Sequence, residues 1–227
     1  MITIVLVHGM FHGPWCWDRL VPLLRGGDVV VATPDLSRNP MDPGPAQQAV
    51  DAAAERGPVI VCGHSFGGYA ATALTPEKIT RMVLLAAYVL DDWEWFPTLP
   101  TTSHFFEMVA TDAAGVMTPK PERATELFYG DCTTADAEWA IAKLCSSSAE
   151  GMKFVMERPA WREVPTTYVQ CELDNVFTQE YMTAARAHVG TGLSMPTSHS
   201  PMLSRPDLVA NLLNSVVAEV SADRSRP

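Results

Sequence analysis

Val59-Ile60-Val61-Cys62-Gly63-His64-Ser65-Phe66-Gly67-Gly68-Tyr69-Ala70 is the stretch that decides the fold. An apolar, β-branched run enters a Gly-His-Ser-Phe-Gly turn and leaves it into residues of helical character that continue to Leu74. A serine on so sharp a strand-to-helix turn needs a strained backbone, and Gly63 and Gly67 supply the small flanks that tolerate it. The Ser65 hydroxyl then projects above the carboxyl edge of a sheet, as a nucleophile must.

Outward from this turn, six short runs read as strands: 2–7, 28–33, 59–62, 81–87, 166–171 and 192–195, the last the weakest. Most are rich in Val, Ile, Leu or Thr, the composition of strands buried on both faces. Helical character lies between several of them, at 15–24, 45–54, 66–74, 180–188 and 207–220. The alternation predicts an α/β fold with a mostly parallel, twisted sheet flanked by helices and right-handed crossovers. From about Leu90 to Val164 no buried strand is evident, and this interval reads as an inserted, small helical cap. Residues 1–89 and 165–227 then form the core and 90–164 the lid. The insertion carries Trp93, Trp95, Phe96, Phe105, Phe106, Met108, Met117, Phe128, Trp139, Phe154, Met156 and Trp161. Most are expected to fill its own core and its seam with the sheet, and some to line a pocket. The final 221–227 are small, polar and charged, and are expected to fray.

Composition narrows the function. A chain of 227 residues, 47% hydrophobic and 19% charged, suits one folded domain. Its formal net charge of −10, without a Lys/Arg cluster, argues against nucleic acid or an anionic membrane as partner and favours a neutral small molecule. Cys16, Cys62, Cys132, Cys145 and Cys171 are scattered, without the close pairs of a zinc or redox site. Reduced thiols, the direct passage from Met1 into a strand, and the lack of a long apolar run lead us to expect a cytoplasmic protein.

A serine hydroxyl is a poor nucleophile at neutral pH and needs a general base. Of the six histidines only His188 and His199 fall late in the chain. His188 lies inside a helical run, whereas His199 follows the last strand in Ser198-His199-Ser200-Pro201, and is the predicted base. The carboxylate that should orient it belongs on a loop leaving a neighbouring strand. Asp174 stands there, with Glu172, Asp91 and Asp92 as rivals. An oxyanion needs two N–H donors, one from the residue after the nucleophile, Phe66, and one from the early loop His8-Gly9-Met10-Phe11-His12-Gly13, where Met10 supplies it. His8 and His12 are then expected to be structural, and neither cofactor nor metal is expected.

The opening 7–17, the turn 63–68, the strand 82–89 and the late 198–206 together resemble the plant-type esterase and hydroxynitrile lyase group of α/β-hydrolases and its bacterial relatives. The resemblance spans almost the whole chain. It implies that Asp174 is the acid and that the insertion is a lid over Ser65. Lyases of this group typically carry Thr after the first His and Lys after the catalytic one, the Lys stabilising departing cyanide. Here those positions are Gly9 and Ser200. The resemblance therefore favours a serine hydrolase of carboxylesterase type, acting on an apolar or aromatic ester, thioester or lactone. The alternatives are a lyase or cyclase that uses His199 as base, or a receptor that has kept the pocket without turnover. One departure from the group is Asn175-Val176-Phe177-Thr178, where a proline is often found.

Overall fold

The computed structural model describes residues 1–24, 28–91, 101–148, 156 and 158–224. In chain order these include β1 (Ile2–Val7), β2 (Val29–Ala32), α1 (Gly44–Ala54), β3 (Val59–His64), α2 (Gly67–Thr72) and β4 (Arg81–Leu85). An insertion follows, with α3 (Ser103–Met108), β5 (Val109–Thr111), β6 (Val116–Pro119), α4 (Pro121–Phe128), α5 (Thr134–Ile141) and β7 (Ser147–Ser148). The chain returns through β8 (Thr166–Cys171), α6 (Gln179–Val189), β9 (Gly192–Met195), α7 (Pro201–Ser204) and α8 (Pro206–Arg224).

Six strands form one sheet in the order β2-β1-β3-β4-β8-β9, every pairing parallel. β1 and β3 are buried along their whole length because neighbouring strands and helices cover them on all sides, as their unbroken apolar runs require. The edge strands β2 and β9 are only partly buried, so their sequences signal more weakly. Register does the positioning. Val7 lies opposite Gly63 and His64 opposite Leu85, which brings the loops after β1 and β3 together at one edge. Cys171 lies opposite Met195, which does the same for the loops after β8 and β9.

Three expectations need correction. Beside its helices, the insertion contains an antiparallel sheet, β5-β6-β7, that the expectation of a small helical cap did not include. Its strands are two to four residues long and only partly buried, too short to show a period-two pattern. The helix expected at 15–24 is instead two 3₁₀ turns, Pro14–Trp17 and Val21–Leu23, because Pro22 lacks the N–H that a continuous helix would use. The tail is ordered further than its composition suggested: α8 runs to Arg224, held by buried Val220 and by an Arg81 to Asp223 ion pair of 2.7 Å.

The two ends of the insertion are tied to each other and, through Asp91, to the core. The Trp161 indole N–H donates to the Leu90 carbonyl at 2.8 Å, and the Met156 N–H to the Asp91 carbonyl at 2.9 Å. The buried Asp91 carboxylate pairs with Arg162 at 2.6 Å and with His188 of α6 at 2.5 Å. Phe105, Met108, Phe128 and Trp161 are buried, Met117, Trp139 and Met156 are partly buried against the core, and Phe106 is exposed. Trp93, Trp95, Phe96, Phe154 and the rival Asp92 lie outside the described residues. Among the described residues no helix is long and apolar enough to cross a membrane.

Candidate active site

Ser65 occupies the left-handed region with φ of +53°, at a cost of about 1–2 kcal/mol for a residue with a side chain. Its neighbours hold it there. The Ser65 N–H donates to Leu85 at 3.2 Å, and its carbonyl accepts from Gly68 at 2.9 Å and Tyr88 at 3.1 Å. Gly67 is required by close approach, since a Cβ there would lie 2.2 Å from the Val7 carbonyl oxygen. Gly9 backs directly onto the serine, and a Cβ on it would lie 2.8 Å from Ser65 Cβ and 3.2 Å from Oγ.

The structure brings Ser65, His199 and Asp174 together at the carboxyl edge of the sheet. Ser65 Oγ is 3.0 Å from His199 Nε2, and His199 Nδ1 is 2.7 Å from Asp174 Oδ2. The other carboxylate oxygen, Oδ1, accepts the backbone N–H groups of Val176 at 2.7 Å and Phe177 at 2.9 Å. An ionised carboxylate only accepts, so Nδ1 carries the imidazole proton and Nε2 is free to take the serine proton. Both His199 and Asp174 are buried, where such bonds are stronger than in water.

Among the described residues, each rival group is engaged elsewhere or exposed. Glu172 faces solvent, while Asp91 and His188 pair with one another at the root of the insertion. Among the described residues, the amides of Met10 and Phe66 donate to no protein group. Phe66 follows Ser65 in sequence, and Met10 follows Gly9, which backs onto Ser65 across the sheet edge. No group of three or more His, Cys, Asp or Glu among the described residues could hold a metal ion.

Several contributors were not singled out in the sequence. His64 donates from Nε2 to the His199 carbonyl at 2.8 Å, and its ring centre is 4.9 Å from that of His199. Burial drives the His64 pKa well below the ordinary value, so it is neutral beside the triad. Phe128 and Phe177 flank the His199 ring at 6.0 and 5.6 Å. From the insertion, the Cys145 N–H donates to the Phe11 carbonyl at 2.9 Å, and Ser147 Oγ accepts from the Phe11 N–H at 3.2 Å. The repeated aromatics and the His64 next to Ser65 were the only signals for these roles, since the contacts join segments far apart in the chain, by more than a hundred residues for His64 with His199 and for Phe11 with Cys145 and Ser147.

Comparison with known proteins bears on the family and the fold. Residues 4–212 match the model of the alpha/beta hydrolase family. Methylesterase 2 of Arabidopsis thaliana is 24% identical, over 93% of this chain and 94% of that one. Two crystal structures share the fold over nearly their full lengths. One is a polyneuridine aldehyde esterase, with a TM-score of 0.79, 23% identity and coverage of 96% of this chain and 99% of that chain. The other is a pyrethroid hydrolase from Sphingobium faniae JZ-2, with a TM-score of 0.77, 23% identity and full coverage of both chains. The parallel six-stranded sheet, the serine turn after β3 and the family match lead to one conclusion: this chain belongs to the alpha/beta hydrolase family.

Proposed function

We propose that the chain is a serine esterase that cleaves a neutral ester, thioester or lactone bearing an apolar or aromatic group, through an acyl-enzyme on Ser65. The observation that carries this reading is the buried, continuous chain from Ser65 Oγ through His199 to Asp174, with bonds of 3.0 and 2.7 Å. Ser65 Oγ attacks the carbonyl carbon while its proton passes to His199 Nε2. The carbonyl oxygen takes the negative charge and is held by the Met10 and Phe66 N–H groups. His199 returns the proton to the leaving oxygen or sulfur, and water, activated by the same imidazole, then cleaves the acyl-enzyme.

Asp174 stabilises the imidazolium formed in each half of the cycle. The insertion serves as the lid, and stacked Phe11 and Phe105, 6.3 Å apart, with Phe128 beside Phe11 at 6.2 Å, form an apolar wall next to His199. Names of similar proteins, a methylesterase and a pyrethroid hydrolase, fit ester substrates of this kind. Hydrolysis is preferred over cyanohydrin cleavage for two reasons. Gly9 lies so near Ser65 Oγ that a side chain there would compete with the oxyanion, and position 200 holds a fully buried Ser rather than a lysine.

The test is turnover of p-nitrophenyl esters of increasing acyl length by the intact protein and by Ser65→Ala and His199→Ala. Turnover by the intact protein, lost by roughly a thousandfold or more in both variants, is expected. A serine-directed phosphonate should label Ser65 and abolish activity. Full activity of Ser65→Ala would refute the mechanism.

A further inference from the structure

We infer that His8 and His12 are positioning residues that hold the two peptide groups on either side of Met10, and so aim the Met10 N–H at the oxyanion. The inference rests on the esterase reading above and assigns work to two imidazoles outside the triad.

The Gly9–Met10 peptide contains the Met10 N–H. Its carbonyl, on Gly9, lies 2.9 Å from His8 Nδ1 and also accepts the His12 N–H at 3.4 Å. In a trans peptide the N–H points opposite the carbonyl, and the described chain has no cis bond. Fixing the Gly9 carbonyl on the His8 side therefore sends the Met10 N–H the other way. The following peptide is fixed from both ends: the Met10 carbonyl lies 2.9 Å from His12 Nδ1, and the Phe11 N–H donates to Ser147 Oγ.

Hydrogen-bond chemistry settles the tautomers. A carbonyl oxygen only accepts, so Nδ1 of each histidine must carry a proton. The Leu36 N–H, 2.9 Å from His8 Nε2, can only donate, so that nitrogen is unprotonated. The Asp35 carboxylate is 3.6 Å from the same nitrogen, beyond hydrogen-bond range. His12 Nε2 lies 2.9 Å from the buried Tyr129 hydroxyl, which donates to it. Burial lowers the pKa of both residues, that of His12 to about 3, so both stay neutral and keep these tautomers.

This restraint is needed because the turn is strained. Residues 9–12 form a turn closed by the His12 N–H to the Gly9 carbonyl, and Phe11 sits in the left-handed region with φ of +68°. A residue with a side chain is disfavoured there, and rotation of the neighbouring peptides would relieve it. Such a rotation would turn the Met10 amide away from the substrate.

The experiment compares His8→Ala and His12→Ala with His8→Asn and His12→Asn. The asparagine amide reaches about as far from the backbone as imidazole Nδ1 and can keep the donation to the carbonyl. Turnover of a p-nitrophenyl ester is measured alongside the affinity for a boronic acid, which becomes tetrahedral on Ser65 and places an oxygen in the oxyanion site. Near-ultraviolet circular dichroism checks the fold of each variant. The alanine variants should lose roughly 100- to 1000-fold in kcat with KM little changed. Boronate affinity should fall in parallel, and asparagine should restore a large part of both. Folded alanine variants with wild-type kcat, an unchanged boronate affinity, or asparagine no better than alanine would overturn the inference while leaving the esterase reading intact. An intact protein inert to esters and to phosphonate would overturn both.

Discussion

Replacing Asp174 by Asn tests the triad through a single atom. Oδ1 of Asp174 faces two donors, the N–H groups of Val176 and Phe177, and must remain an oxygen in the variant. The asparagine NH₂ is then forced into the position of Oδ2, 2.7 Å from His199 Nδ1. An NH₂ there donates, so Nδ1 must become the acceptor and the imidazole proton moves to Nε2. That nitrogen can no longer take the Ser65 proton. The wrong tautomer in a triad of this geometry costs about 10⁴ in kcat, equivalent to about 5 kcal/mol of barrier. Asp174→Ala leaves the tautomer free and should lose less activity. It orphans two backbone N–H groups instead and should be the less stable variant, by roughly 1–3 kcal/mol for each group that water cannot reach. The assay is kcat for a p-nitrophenyl ester at pH 8 together with the urea midpoint of each variant. Asp174→Asn that keeps more than about a tenth of wild-type kcat would refute the reasoning, because no arrangement of its amide satisfies both backbone N–H groups and a protonated Nδ1.

Two further outcomes follow from groups outside the triad. His12 is buried and neutral with a pKa of about 3, against about 6.5 when unfolded, so the unfolded chain binds the extra proton at intermediate pH. Stability therefore falls as pH drops below about 6.5, by about 2 kcal/mol from His12 alone between pH 7.5 and 5, and burial of His8 and His64 adds in the same direction. A urea midpoint that stays level across that interval would contradict this. Arg162→Met removes a charged partner from the buried Asp91 carboxylate and should destabilise the protein by about 1–3 kcal/mol, with kcat nearly unchanged. A wild-type urea midpoint in that variant would show that the ion pair at the root of the insertion contributes nothing.

The parts legible in the sequence are those whose causes are local. The turn at Ser65 could be read because its requirements, an apolar strand, small residues on both sides and a following helix, fall within about a dozen consecutive residues. The central strands were legible for a similar reason, since burial on both faces demands an unbroken apolar run. His199 stood out by its place after the last strand. The sequence left Asp174 in competition with Glu172, Asp91 and Asp92, because a carboxylate on a loop looks alike whatever it faces. Only the parallel register of β8 with β9 brings the Asp174 loop beside His199, and only the path of the insertion gives Asp91 to His188 and Arg162. The short strands of the insertion escaped notice because two to four half-exposed residues carry no period, and pairing partners, not propensity, hold them in place. The tautomers of His8 and His12 also depend on distant groups, Leu36 and Tyr129, whose proximity is a property of the folded chain. Sequence thus determined the family and fold of this protein and which side chains were candidates for its chemistry, while tertiary structure decided which groups share each proton, because a hydrogen bond depends on distances that chain separation does not encode.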